Sequence, residues 1–108
     1  MDRQAFFRAF TEVLDKILAR FSNVSQQARA DFTNLRNDTT FVQMRTRGTQ
    51  LLNRIVQEAG LATVKCVYEI DGVTFCTDLP DELCARAGGT HVLDCPPGSN
   101  PDWSSAFA

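Results

Sequence analysis

Cys66, Cys76, Cys84 and Cys95 fall within one 30-residue stretch, and the 65 residues before them contain no cysteine. Sulfurs gathered this way can close two disulfides, ligate zinc, or stay reduced as small buried hydrophobes. The intervals of nine, seven and ten residues contain no CxxC knuckle. That weighs against zinc and against dithiol redox catalysis, for which Lys65 would be the only adjacent base. The even count in a piece too small to hold itself together favours two disulfides.

His91 is the single histidine, so any histidine acid–base chemistry rests on it, with Asp94 three residues on and Cys84 able to approach. The plainer reading is a histidine at a strand edge or on the surface. Asp78, Asp81 and Glu82 could gather round a divalent cation, but acids at this spacing also suit the first turn of a helix, where they oppose its dipole. No convincing catalytic constellation emerges. The chain is read as a non-enzyme without a cofactor. The alternative is a small metal- or ligand-binding regulator built on the four cysteines and His91.

The elements that must position these groups are legible. Residues 63–77, TVKCVYEIDGVTFCT, read as a β-hairpin closed by Asp71-Gly72. A two-residue turn places Tyr68 opposite Phe75 and Cys66 opposite Thr77. It also gathers Val64, Cys66, Tyr68, Ile70, Val73 and Phe75 on one face. Cys66 and Cys76 then point to opposite faces and cannot bond to each other. Next, LPDELCARAGG reads as a short helix begun by Pro80 and stopped at Gly88. If it covers the apolar face of the hairpin, Cys66 pairs with Cys84 and Cys76 with Cys95, one of three possible connectivities. A short strand at Thr90–Leu93 completes a ββαβ module over 63–95.

The pattern CxxxxDGxxxC-x7-C-xxx-GG-x5-C resembles a small cysteine-rich module of exported and surface proteins of bacteria, carried here by Cys76, Cys84, Gly88 and Gly89. The resemblance covers Cys66–Cys95. It departs from the pattern in a longer first hairpin and in Thr90-His91 where an aromatic is usual. It brings no activity with it.

Upstream, apolar residues recur at helical spacing through Phe6, Phe10, Leu14, Ile17, Phe21, Val24, Ala28, Phe32 and Leu35. Neither Gly nor Pro interrupts residues 1–47, so a first helix over about 3–36 could reach about 50 Å. The expected break is Asn37-Asp38. Thr40 with Gln43 would cap a second helix over about 40–59, ended by Gly60-Leu61. These signals favour an amphipathic helical hairpin over residues 1–62 rather than one rod. Gly48 stands where an apolar side chain is expected, which suggests close approach of another backbone.

The tail, residues 96–108, contains Trp103 and three of the four prolines. Such a composition builds no core of its own. Either it is disordered, or Trp103 and Phe107 anchor it in a groove on a neighbour.

Charge is split unevenly. Residues 1–65 carry ten Lys/Arg against six Asp/Glu, and residues 66–108 carry one against seven. The plainer reading is that one half simply happens to be basic; the sharper one is that the halves attract, within one chain or head-to-tail between chains. The bases are spread rather than clustered, which disfavours nucleic acid. No apolar run is long enough to span a membrane. The first ten residues do not read as a Sec-type signal peptide, and the compartment stays open between thiol- and disulfide-supporting environments.

The expectation is an α+β protein with a long N-terminal helical hairpin followed by a small cysteine-rich ββαβ module. It would work as a structural or accessory subunit, through self-association or within a larger complex with other protein chains. Its expected partner-binding residues are Phe10, Leu14, Phe21, Gly48, Trp103 and Phe107.

Overall fold

The computed structural model describes all 108 residues. Helix α1 (Arg3–Arg20) starts where Asp2 accepts a hydrogen bond from the Ala5 N–H at 2.7 Å. It buries Phe6, Phe10, Val13, Leu14 and Ile17 along one stripe. It does not run on to residue 36. Ser22, Asn23 and Ser25 are short polar side chains that compete with the helix for backbone hydrogen bonds. Ser25 instead caps a new helix, α2 (Gln26–Arg36), by accepting from the Ala28 N–H.

Arg29 fixes this corner. Its guanidinium donates to the carbonyls of Leu18, Phe21 and Val24 at 2.8, 2.7 and 3.1 Å, covering oxygens left free at the end of α1. The anticipated helix over 3–36 is therefore two helices. With α3 (Val42–Ala59), the N-terminal half has three helices rather than a two-helix hairpin or a single rod.

The second break lies near the expected place, with a different cap. Asp38, not Thr40, accepts from the Thr40 N–H and hydroxyl and from the Gln43 N–H. The Gln43 N–H is the main reason its carboxyl is held below the usual range. Phe41 enters α3 with φ 63°, and its ring packs against Phe7 and Phe107 at centroid distances of 5.3 Å. Gly60, at φ 70°, ends α3, and the Leu61 N–H donates to the Val56 carbonyl.

Strands β1 (Thr63–Ile70) and β2 (Val73–Pro80) pair antiparallel, with Tyr68 opposite Phe75 and Cys66 opposite Thr77. Asp71 and Gly72 both adopt positive φ, as a tight two-residue turn requires. Helix α4 (Asp81–Arg86) follows directly, and β3 (Thr90–His91) joins the far side of β1, giving the strand order β2-β1-β3.

Cys66 bonds Cys84 and Cys76 bonds Cys95. The first disulfide is wholly buried and ties α4 to the inner face of the hairpin. The second lies on the outer face, where Cys95 is exposed. Beyond β3 the chain passes over that face to Cys76 and then lies along the edge of β2. There Asn100 exchanges backbone hydrogen bonds with Thr74 and Cys76 at 2.9 and 3.0 Å. The strap ends in a 3-10 turn, Trp103–Phe107, whose two aromatics are buried.

One continuous core of 25 buried residues joins helices, sheet and tail. At its centre, Phe6 lies 5.7 Å from Tyr68, 5.3 Å from Trp103 and 6.2 Å from Phe107 between ring centroids. No helix is long and apolar enough to cross a membrane.

Candidate binding groove

The stripe of α1 does not end in the core. Val13 and Ile17 lead to Phe21, which is half-buried because the chain turns away at Ser22 toward α2. Opposite them lie Leu61, just after α3, and Pro80, at the junction of β2 and α4. Together these five residues floor an open groove of about 320 Å³.

Its rim is charged on both sides. Lys16 and Arg20 rise from α1, and Asp81 and Glu82 from the first turn of α4. Lys16 donates to Glu82 at 2.6 Å, and this bond is the main reason the Glu82 carboxyl is held below its usual range, with Arg86 and Arg20 adding to it. Further along, Arg86 pairs with Glu12 and lowers that carboxyl in the same way. Both pairs are partly exposed and screened by solvent, so each contributes little to stability. Their main effect is to set α4 against α1. A partner can displace the Lys16–Glu82 bond at little cost.

Most of the candidate partner-binding residues lie elsewhere. Phe10 and Leu14 have no exposed surface, and Trp103 and Phe107 are 2% and 3% exposed. Gly48 is buried beneath Trp103, so the close approach there is by an indole ring and not by another backbone. These five residues hold the chain's own core together, and the tail's groove is on its own molecule. Phe21 is the only one of the six that lines the groove between α1 and α4.

The groups with possible chemistry are kept apart. His91 Nε2 lies 2.8 Å from an Asp81 carboxylate oxygen rather than beside Asp94 or Cys84. Glu82 is engaged by Lys16, and Asp78 faces a separate cavity beside the outer disulfide. All four sulfurs are in disulfides, which leaves no thiolate to ligate a metal, and no group of three His, Cys, Asp or Glu is placed to hold one. Tyr68 donates to or accepts from Thr77 at 2.7 Å, and burial pushes its phenol far above the usual range, so it stays neutral.

The double glycine after α4 has a physical reason. Gly88 takes φ 70° to stop the helix, and Gly89 lies flat on the inner disulfide, where a Cβ would collide with the Cys66 sulfur.

Leu61, Pro80 and Arg20 were not foreseen as one site. Each sits at an element boundary, and only the packing of α1 against α4 brings them together. No protein-family model matches the chain, and no curated protein or solved structure matches it.

Proposed function

We propose that the chain is a non-enzymatic structural or accessory protein that works by binding other protein chains, in an environment oxidising enough to keep both disulfides closed. The groove between α1 and α4 carries this reading. Its floor sets the half-buried Phe21 and Leu61 over the buried Val13, Ile17 and Pro80, and charged side chains rim it on both sides. A floor of this kind with a mixed-charge rim suits an apolar anchor side chain flanked by polar groups, the usual anatomy of a small protein interface.

The binding surface is thus the groove, and the stripe residues Phe10 and Leu14 serve as internal packing behind it. The resemblance of Cys66–Cys95 to modules of exported bacterial proteins fits the same setting. Disulfides are stable outside the reducing cytosol.

The test is the native size of the protein in its source. Gel filtration of an undenatured extract, followed with an antibody, should show the chain well above its 12.0 kDa monomer mass. Elution at the monomer position, with both disulfides intact, sinks the reading.

A further inference from the structure

Leu93 is 93% exposed, far more than any other large apolar side chain of the molecule. It is not on a loose loop. The Val92 N–H donates to the Lys65 carbonyl at 3.0 Å, the Leu93 carbonyl accepts from Lys65 Nζ at 3.4 Å, and Cys95 is bonded to Cys76. A leucine pinned on both sides cannot turn inward to find cover in its own chain.

Its position relative to the groove is informative. His91, two residues earlier, lies against the Asp81 carboxylate, and Asp81 forms part of the groove rim. Leu93 follows two residues after this contact and is not among the side chains that line the groove of its own molecule. A projecting apolar side chain next to an apolar groove is self-complementary under a two-fold rotation, because each copy can place its leucine in the groove of the other.

The charges agree. Arg20 on the groove wall and Asp94 beside Leu93 both lack an ion-pair partner within the chain. Opposite charges on the groove wall and beside the projecting leucine are complementary between two copies.

We propose that the chain forms a two-fold dimer in which Leu93 of each copy seats in the α1–α4 groove of the other, with Asp94 against Arg20. This rests on the association reading above and names a second copy as the partner. Two small contacts of this kind make a weak, reversible dimer rather than an obligate one.

Sedimentation equilibrium of the oxidised full chain, from about 1 µM to about 1 mM, tests it, since weak dimers titrate in that window. The expected result is a reversible monomer–dimer equilibrium. Leu93→Ser should leave the melting temperature unchanged, because the side chain is exposed, and should raise the dimer dissociation constant at least about tenfold. Asp94→Arg should also weaken the dimer, and adding Arg20→Glu should restore it. A dimer that Leu93→Ser does not weaken overturns the proposal and leaves association by another surface standing. A strict monomer at the top concentration also overturns it, and the native mass in the source extract then decides the broader reading independently.

Discussion

Gly48 lies so close beneath Trp103 that a methyl group at its Cα would come 2.7 Å from Cη2 of the indole. Helix α3 accepts a residue of poor helical propensity there because the 3-10 turn of the tail packs onto that spot. Gly48→Ala gains up to about 1 kcal/mol in propensity but overpacks a filled core, which costs about 1–3 kcal/mol. The expected outcome is a lower melting temperature, with Gly48→Ala/Trp103→Phe losing less than the two single changes added together. Strict additivity in a double-mutant cycle contradicts the contact.

Trp103 is the only tryptophan and is 2% exposed, so its fluorescence reports tail docking directly. Native emission should be blue-shifted and should move red in a single step with unfolding. Trp103→Ala removes a side chain packed on Phe6 and Phe10 and should destabilise by about 3–5 kcal/mol. Urea titration followed by circular dichroism measures this. A loss under about 1 kcal/mol contradicts a tail built into the core.

The two disulfides should differ in reactivity, because Cys95 is exposed while Cys66 and Cys84 are wholly buried. Mild reductant followed by alkylation and mass spectrometry should label Cys76 and Cys95 first. Each bond closes a loop with a separation of 18 or 19 residues, and losing either should cost about 3 kcal/mol. Labelling of Cys66 and Cys84 first, or of all four together, contradicts the burial difference.

Gly89→Ala should obstruct the inner disulfide selectively, since the added Cβ meets the Cys66 sulfur. Thiol titration of the purified variant should find Cys66 and Cys84 free while Cys76–Cys95 is closed. Gly88→Ala, strained only through φ 70°, should keep both bonds and lose about 1 kcal/mol or more of stability. Complete oxidation of Gly89→Ala without loss of stability contradicts the packing.

Acid should weaken the corner between α1 and α2. Glu58 accepts from the Ser25 N–H at 2.7 Å and from Arg54 at 2.9 Å, and the Ser25 bond is the main cause of its lowered pKa. A carboxylate depressed in the folded state contributes fully above its unfolded pKa, and that contribution is lost as pH falls through the folded value. The melting temperature should therefore fall as the pH drops below the ordinary glutamate value of 4.5, and Glu58→Gln should melt lower at neutral pH with a shallower acid slope. An unchanged slope in that variant rules out this source.

Local chemistry was the more legible part of the fold. The Asp71-Gly72 turn and the alternation along 63–77 locate the hairpin, its register, and the opposite faces taken by Cys66 and Cys76. Helical periodicity was equally plain, but it does not register a corner. The stripe keeps its spacing through Val24 and Ala28, although Ser25 starts a new helix there. The corner after α1 joins local causes, the Ser25 cap and the Arg29 bond to Leu18, to bonds from Asn23 and Ser25 to Glu58, which no local window contains. Trp103 and Phe107 were recognisable as anchors. Their socket was not, because it is assembled from Phe6, Phe10 and Gly48 on two separate helices. The groove was hidden for the same reason.

The two sulfur bridges interleave along the chain, first with third and second with fourth. Every peptide bond from Cys66 to Cys95 therefore lies inside at least one covalent ring. A protease that cuts once anywhere in that stretch, the exposed loop around Leu93 included, leaves both fragments joined. This stretch can be nicked without being shed.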